Sequence, residues 1–289
     1  VIVIDNASED GSAETIAKIG GNVQLIENSE NVGFGRANNA GLQQSLGRLV
    51  LFLNSDTEIT TTTINDLIDE FDTHPEIAAF GCKILGYDEA PQHSVRGHPT
   101  LGAYLHSDTV LGVFGLFKGA HERYRRKSFE FDRWQEIEMA MGAALAVRRD
   151  VIEQMQGFDP AFFMYYEEAD LCRRIDEAGF RLAYSPVPVV YHVGGASSRK
   201  SKAKMMLVLR QSMFIYFRKH EPRWKNHLFA LLFKPLFLVH IAGTWLKQWL
   251  RLRISLLRSE SLERQRKYRR RLDTTRDFLT RHAIEFLKS

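Results

Sequence analysis

Apolar runs of strand length alternate with helix-like segments along the first part of the chain. Val50 to Leu53 is a run of four large apolar residues, which is typical of a strand buried on both faces of a sheet. Similar runs predict strands at 1–5, 23–26 and 77–82. Helices are predicted between the strands at about 13–19, after the loop at 31–41 with an end near residue 47, and at about 63–73. This order is that of βαβ units, so we predict an α/β fold with a mainly parallel central sheet.

The polar end of the central run, Asn54-Ser55-Asp56, is the first candidate for chemistry. Ligands bind at the carboxyl edge of an open α/β sheet, and this sequence predicts that Asp56 lies there. A carboxylate at such an edge suits a divalent cation with oxygen ligands, Mg²⁺ or Mn²⁺. The alternative is that Asp56 caps a helix that follows the strand.

The first two strand ends exclude two common nucleotide-binding classes. No Gly-x-Gly-x-x-Gly follows the first strand, and the chain has no Walker-type phosphate loop. Gly33 and Gly35 instead punctuate a loop that enters a helix, where the backbone can approach a ligand closely. Arg36 near that helix start is a candidate diphosphate contact. An ordinary structural turn would show the same glycines.

A crowded group of carboxylates opens a later helix, predicted to run to about residue 178. Glu167, Glu168 and Asp170 follow an apolar and aromatic run. Acidic residues in a first turn often only complement the helix dipole. Apolar surroundings and like charges also raise a carboxyl pKa towards that of a useful general base. Both interpretations stay open on these residues alone.

Short strands at 180–184 and 187–191 lead to His192, whose imidazole suits Mn²⁺ at least as well as Mg²⁺. A packed or surface histidine is the alternative. The Gly- and Ser-rich run that follows predicts a domain boundary near residues 199 and 200. Earlier in the chain, 139–147 predicts a buried strand, and 111–118 predicts a mobile loop. The basic run at 123–127 is either solvated or in contact with an acceptor phosphate.

The charge of the chain is strongly divided. Residues 1–199 contain 17 Lys and Arg against 29 Asp and Glu, whereas residues 200–289 contain 22 against 6. A basic tail indicates an anionic partner, either a membrane surface or nucleic acid. The apolar stretch 228–250 is interrupted by charged residues, and its Trp245 and Trp249 are typical of a helix at a membrane interface. The alternative is a helix packed on the catalytic domain.

Two further features concern the ends and the cysteines. The chain begins inside a strand, so we expect the first βα unit of the fold to be missing from it. Cys82 and Cys172 lie far apart in apolar or helical contexts. They predict free, buried thiols and a reducing compartment.

Four stretches in order carry a resemblance to a known family: Val1–Ser12, Asn31–Gly41, Leu53–Thr57 and Gly157–Arg174. Together they resemble the family 2 glycosyltransferases of GT-A fold, and most of all the bacterial rhamnosyltransferase-like branch of cell-surface polysaccharide assembly. The resemblance covers about residues 1–200. It implies a GT-A domain at 1–199 with a basic helical extension at 200–289.

The resemblance implies a role for each matching residue. Asp56 matches the last Asp of the family's Asp-x-Asp motif and implies a metal ligand, with His192 as a second; Asn54 stands where the first Asp would be. Glu168 matches the catalytic base, and Asp170 is the second choice. Gly142 matches a position that lines the acceptor pocket, and Glu167 is expected to orient either the acceptor or a neighbouring side chain. The positions that match the nucleotide-sugar site are Asp5, Asn6, Ser8, Gly33, Arg36, Asn38, Asn54 and Ser55.

The implied function is inverting, Mg²⁺- or Mn²⁺-dependent sugar transfer from a UDP- or dTDP-linked donor to a hydroxyl of a glycan or a polyprenyl-linked acceptor. The expected location is cytoplasmic, peripheral on an anionic membrane face, and no nucleic-acid partner is expected. One alternative is a non-catalytic relative that binds nucleotide-sugar or glycan. A second, suggested only by the tail, is a nucleic-acid-binding protein.

Overall fold

The computed structural model describes residues 1–193, 202–258 and 260–289 and divides the chain into two compact units. The first unit is Val1–His98 with Arg125–Ala196, and the second is Pro99–Tyr124 with Ser197–Ser289. The boundary predicted near residues 199 and 200 lies outside the described residues. The segment from Pro99 to Tyr124, which the sequence analysis placed in the first domain, groups with the C-terminal helices.

The elements are numbered in chain order. The strands are β1 (Ile2–Asp5), β2 (Gln24–Glu27), β3 (Leu49–Leu53), β4 (Thr57–Ile59), β5 (Ile77–Leu85), β6 (Val95–Arg96), β7 (Gln135–Ile137), β8 (Met139–Ala140), β9 (Ala144–Arg148) and β10 (Arg181–His192). The helices are α1 (Ser12–Ala17), α2 (Phe34–Gln44), α3 (Thr63–Thr73), α4 (Leu101–Asp108), α5 (Lys118–Arg125), α6 (Arg149–Gln154), α7 (Glu167–Glu177), α8 (Lys202–His220), α9 (Arg223–Leu257), α10 (Leu262–Asp277) and α11 (Ala283–Lys288). A 3₁₀ turn (Val110–Phe114) and a π-helical turn (Phe278–His282) complete the second unit.

The central sheet of the first unit is mixed. Its strand order is β3-β9-β5-β10-β4, with β7 also paired to β10. β5 and β10 are parallel, but β9 runs antiparallel between β3 and β5. β1 and β2 form a separate parallel pair. The α/β class is therefore as predicted, while the sheet is less parallel than expected, because the apolar run of β9 does not reveal its direction.

The single long strand β10 replaces two predicted strands. Pro186 and Pro188 interrupt the apolar pattern, and the pairing of β10 with β5 shifts register between Tyr184 and Val189. Proline cannot donate a ladder hydrogen bond, so the register shift accommodates both residues. The strand continues beyond them and carries His192 at its end.

The core of the first unit lies on β5 and the elements that face it. Phe71 of α3 and Phe80 of β5 pack edge to face at 4.9 Å between ring centroids. Cys82 on β5 and Cys172 on α7 are free and fully buried, as predicted. Burial raises the pKa of both thiols to about 12, so neither ionises at neutral pH.

The second unit is helical. Phe237 of α9 packs on Phe278 and Phe286, and Phe214 of α8 packs on Phe229 and Phe233. The loop predicted at 111–118 is instead the 3₁₀ turn and the start of α5. In the described part of the chain, α9 is the one helix long and apolar enough to cross a membrane, judged by length and composition alone.

The entry to α2 requires glycine. Gly33 has φ +88°, and a Cβ built there would overlap the carbonyl oxygen of Phe163. That same carbonyl accepts a hydrogen bond from the amide of Phe34 at 2.9 Å. Two independent reasons, backbone conformation and space, therefore exclude a side chain at residue 33.

We expect Gly33→Ala to destabilise the first unit by about 3 kcal/mol or more, because it adds a backbone overlap to the strain of a positive φ. Gly179→Ala is the matched control, since Gly179 has φ +84° and open space around its Cβ position. That control should cost only about 1 kcal/mol. Urea unfolding of both variants measures the difference. Equal losses would show that Phe163 moves freely out of the way.

Candidate functional site

The start of α2 holds the segment that precedes α7. Asn39 accepts a hydrogen bond from the amide of Phe158 and donates to its carbonyl, at 2.9 and 2.7 Å. Arg36 donates from Nε to the carbonyl of Pro160 at 3.1 Å. Two residues predicted to contact the nucleotide, Gly33 and Arg36, thus also fix the chain that leads to the acidic helix.

The turn after β1 is tied to the loop before α2. Asn6 donates from Nδ2 to Asn31 and to the carbonyl of Gly33, and its Oδ1 accepts from Asn28 and from the amide of Val32. Its side chain is therefore committed to joining the two loops. Asp5 is buried at the end of β1, and one of its oxygens accepts from the amide of Ser8 at 3.0 Å.

The other residues predicted to bind the nucleotide-sugar lie on α2 and in the turn after β3. Asn38 lies on α2 and donates to the carbonyl of Phe34 at 2.9 Å. Asn54 and Ser55 form the turn after β3, and the amide of Asn54 donates to the carbonyl of Ala143 at 3.1 Å. This bond places the turn beside the connection between β8 and β9 that contains Gly142.

Asp56 and His192 lie together, as a shared metal role requires. Nε2 of His192 is 3.3 Å from Oδ1 of Asp56, and both side chains are largely buried. Asp56 does not cap a helix, because the turn leads into β4, which pairs with the end of β10. The amide of Val193 donates to the carbonyl of Asp56 at 3.0 Å, which joins the end of β10 to the turn that carries Asp56.

Gln92 orients the histidine, and the sequence analysis missed it. Its Nε2 donates to the carbonyl of His192 at 2.7 Å, which leaves Oε1 facing Nδ1 of His192 at 2.9 Å. A proton on Nδ1 of His192 would then be donated to Oε1 of Gln92. In a neutral imidazole of this tautomer, the lone pair lies on Nε2, which faces Asp56. Gln92 belongs to no motif, so nothing in the sequence signals its role.

The donor set fits a divalent cation. When the His192 imidazole carries its one proton on Nδ1, its Nε2 and the Asp56 oxygen 3.3 Å away are both acceptors, an arrangement that a shared cation would stabilise. In the described ranges, no group of three or more His, Cys, Asp or Glu side chains forms a cage for a metal. The protein would therefore supply two ligands, and the remaining positions would be open to other oxygen ligands.

Glu168 is held against Gly142. The Gly142 amide donates to the Glu168 carboxyl group, and a Cβ on Gly142 would lie 3.6 Å from Cβ of Glu168 and 3.8 Å from the ring of Phe34. Oε2 of Glu168 is buried with no hydrogen-bond partner among the described residues. Burial raises the pKa of Glu168 above its ordinary value, partly offset by backbone amides.

Glu167 is the more deeply buried neighbour. Burial, and then the charge of Glu168, raise its pKa well above the ordinary value. Its Oε2 is also buried without a hydrogen-bond partner in the described structure. The preceding residues Tyr165 and Tyr166 both have positive φ, 69° and 71°, so the first turn of α7 begins from a strained backbone.

Asp170 has a different environment from Glu168. It is fully buried, and its Oδ2 accepts from Nε of Arg174 at 2.8 Å. Arg174 also donates to the carbonyls of Met155 and Gly157, at 2.6 and 2.8 Å. This arrangement joins α7 to the end of α6. We therefore keep Glu168 as the candidate base and regard Asp170 as its structural neighbour.

Comparisons with known proteins find similarity to glycosyltransferases. The sequence profile described as "Glycosyl transferase family 2" matches residues 1–155. The N-acetylglucosaminyl-diphospho-decaprenol L-rhamnosyltransferase of Mycobacterium tuberculosis is 28% identical over 237 residues, which cover 78% of this chain and 76% of the relative. Rhamnosyltransferase WbbL of Escherichia coli is 28% identical over 170 residues, which cover 58% of this chain and 60% of that protein.

A solved structure shares the fold. The mannosyltransferase PcManGT from Pyrobaculum calidifontis, in complex with GDP-Man and Mn²⁺, superposes with a TM-score of 0.50 at 16% identity. The match covers 100% of this chain and 77% of the other. This likeness shows the GT-A fold that the four sequence stretches predicted.

The buried carboxyl of Glu167 makes stability depend on pH. The unfolded chain ionises this group above about pH 4.5, its ordinary pKa, whereas the folded chain resists ionisation. Wild-type protein therefore loses stability as pH rises from that value towards the raised folded pKa, at up to about 1.4 kcal/mol per pH unit. Glu167→Gln removes this loss. The free energy of unfolding of the variant, relative to the wild type, should therefore increase between pH 4.5 and pH 8.

Urea unfolding at both pH values tests this expectation. Glu263→Gln is the matched control, because Glu263 also lies in a helix first turn but is exposed. The control should show no growth of the difference with pH. A difference for Glu167→Gln that is equal at both pH values would contradict the raised pKa.

Proposed function

This chain belongs to glycosyl transferase family 2, and we propose that it transfers a hexosyl or rhamnosyl group from a nucleotide-sugar to an acceptor hydroxyl with inversion at the anomeric carbon. Its similarity to two rhamnosyltransferases supports sugar transfer in polysaccharide synthesis. The observation that carries the proposal is the buried carboxyl group of Glu168 beside Gly142, which has a raised pKa and one oxygen with no hydrogen-bond partner among the residues that the structure describes.

Glu168 is the proposed general base. The acceptor oxygen attacks the anomeric carbon from the side opposite the leaving diphosphate, the carbon–diphosphate bond breaks, and the acceptor proton passes to Glu168. A pKa above the ordinary glutamate value makes its carboxylate a stronger base for this step. Gly142, which has no side chain, leaves room for an acceptor next to that carboxylate. Glu167 is proposed to help position the acceptor from the neighbouring place on α7.

Asp56 and His192 are proposed to hold Mg²⁺ or Mn²⁺. When bound, such a cation stabilises negative charge on the departing diphosphate. Gln92 holds the imidazole with Nε2 turned towards Asp56, so it acts as a positioning residue. The solved mannosyltransferase of similar fold contains Mn²⁺ together with GDP-Man.

The nucleotide is proposed to bind between the turn after β1 and the turn after β3. Asp5 uses one oxygen for the Ser8 amide, and its other oxygen is proposed to accept from an N–H of a uracil or thymine ring. Arg36 uses Nε for Pro160, which leaves its terminal nitrogens directed to donor phosphate in this proposal. Asn6, Gly33 and Asn38 support these loops, and Asn54 and Ser55 line the second turn.

The name of one relative supports a proposal for the acceptor class. The mycobacterial relative is named for an N-acetylglucosaminyl-diphospho-decaprenol acceptor. We therefore propose a glycan on a polyprenyl diphosphate as the acceptor of this chain, with a UDP- or dTDP-linked sugar as the donor. A relative that only binds nucleotide-sugar would show donor affinity without turnover, which the experiments below distinguish.

We expect Asp56→Asn to abolish the gain in nucleoside-diphosphate affinity that Mn²⁺ provides, because the amide lacks the anionic ligand oxygen. Gln92→Ala should reduce this Mn²⁺-dependent gain in affinity by about tenfold or more, because an imidazole without its hydrogen-bond partner loses conformational freedom when it binds the metal. Calorimetric titration of UDP and dTDP with and without Mn²⁺ measures both. Affinity without metal should not change.

Asp69→Asn is the control, because Asp69 lies exposed on α3. Gln92→Glu should recover part of the loss, since its carboxylate also accepts from Nδ1. Thermal unfolding confirms that each variant is folded. An unchanged Mn²⁺ effect in folded Asp56→Asn would refute the metal assignment.

Glu168→Gln should lower kcat by about 10²-fold or more with donor affinity nearly unchanged, because the amide cannot take the acceptor proton. In the wild type, kcat/KM should rise with pH through a midpoint above 4.5, as the base loses its proton. Glu177→Gln, exposed at the end of the same helix, is the control. Full turnover of Glu168→Gln, or donor binding without turnover in the wild type, would contradict the proposal.

A further inference from the structure

Helix α9 has two apolar faces, and among the described residues of the second unit the inner face alone is packed. The inner face packs on α8, α10, α11 and the π-helical turn through Phe229, Phe233, Phe237 and Ile241. The outer face exposes large apolar residues at helical spacing: Trp224, Leu228, Leu231, Leu232, Val239, Leu246, Trp249, Leu250, Ile254 and Leu257. We call this outer set the α9 stripe.

The α9 stripe has an uncharged centre and charged ends. Every exposed position from Leu228 to Leu246 is apolar or glycine, a length of about 28 Å on a helix. Exposed cations lie beyond both ends, at Arg223 on one side and Lys247, Arg251 and Arg253 on the other. Arg253 lies over the ring of Trp249 at 5.4 Å from its centroid. Large exposed apolar patches on a folded protein mark interaction sites.

A second exposed apolar segment belongs to the same unit. The 3₁₀ turn Val110–Phe114 contacts α9 and exposes Val113 and Phe114, with 77% of Phe114 accessible. Leu116 and Phe117 just beyond it are exposed as well. These four exposed side chains form an apolar, partly aromatic segment of the second unit.

The packing of α9 opposes a membrane-spanning position. α10 follows α9 closely, and Phe278 at its end reaches Phe237 near the middle of α9. α10 carries seven exposed cationic side chains: Arg264, Arg266, Lys267, Arg269, Arg270, Arg271 and Arg276. If α9 crossed a bilayer in this packing, these charges would enter hydrocarbon with it, and each of them resists that transfer.

We propose that the α9 stripe and the apolar turn at Val113–Phe117 lie in the headgroup region of an anionic phospholipid bilayer. Apolar side chains enter the acyl boundary, while the flanking cations and α10 meet lipid phosphates. Tryptophan at both ends of the stripe suits the same layer. The excess of 22 basic over 6 acidic residues in 200–289 selects an anionic surface over a neutral one. This inference goes beyond the proposed transfer reaction and does not depend on it.

Co-sedimentation of the full chain with vesicles tests the proposal. Binding to mixed phosphatidylglycerol and phosphatidylcholine vesicles should exceed binding to pure phosphatidylcholine by tenfold or more and weaken with salt. Leu231→Asp with Leu232→Asp should lower binding at least about tenfold, because both exposed leucines leave the acyl boundary. Leu46→Asp is the control, since Leu46 is 95% exposed but lies in the first unit.

A second pair of variants tests the charges. Arg251→Glu with Arg253→Glu should lower binding to anionic vesicles by about fivefold or more per residue. Lys18→Glu with Lys127→Glu, exposed cations of the first unit, should leave it unchanged. Thermal unfolding and nucleotide titration show that each variant is folded.

Four results would overturn the proposal. The first is absence of binding to anionic vesicles, and the second is equal binding by the wild type and the Leu231→Asp, Leu232→Asp variant. The third is retention on vesicles after an alkaline carbonate wash, which indicates a spanning helix. The fourth is a dimer in light scattering that this variant dissociates, without any vesicle binding, which would make a second copy the occupant of the stripe.

Discussion

The contact between the start of α2 and the chain before α7 is the constraint on which the site depends. The Phe34 amide donates a hydrogen bond to the Phe163 carbonyl, and only glycine at residue 33 leaves room for the two backbones to come this close. Gly35 faces the Cβ of Glu167, while Phe34 faces Gly142 from across the same corner. A glycine-bearing loop that the sequence suggested for a ligand therefore also builds the wall against which the acidic helix begins.

The first turn of α7 combines several features that lower the stability of the fold. Glu167 and Glu168 each have a buried oxygen without a hydrogen-bond partner in the described structure, and two tyrosines of positive φ come directly before them. Each feature costs free energy of folding, and no packing need explains their combination. The surrounding structure compensates with strong local bonds, of which the Arg174 contacts to Asp170, Met155 and Gly157 are the clearest.

Much of this arrangement could be predicted, because local patterns record burial and chemistry. The apolar run at Val50–Leu53 correctly predicted a strand, although β3 lies at an edge of the central sheet and is not buried on both faces as expected. The ordered motifs correctly predicted the family. Strand direction could not be predicted, since β9 has the same apolar run whichever way it pairs. The distinction between Glu168 and Asp170 was in part readable: two residues apart on a helix point to different sides, and Asp170 has Arg174 four residues on. The role of Gln92 could not be predicted, because it depends on a contact with His192, 100 residues further along the chain.

The placement of the two thiols gives the protein an internal reporter. Cys82 and Cys172 are the chain's only cysteines, both lie in the first unit, and neither touches solvent. A thiol reagent can reach them only when β5 or α7 opens, because burial both shields the sulfur and keeps it protonated. The rate of labelling thus measures how often the sheet and the acidic helix open, and it stays silent about the basic helices, which carry no cysteine. Local opening of the first unit can therefore be followed in the intact chain without introducing a cysteine.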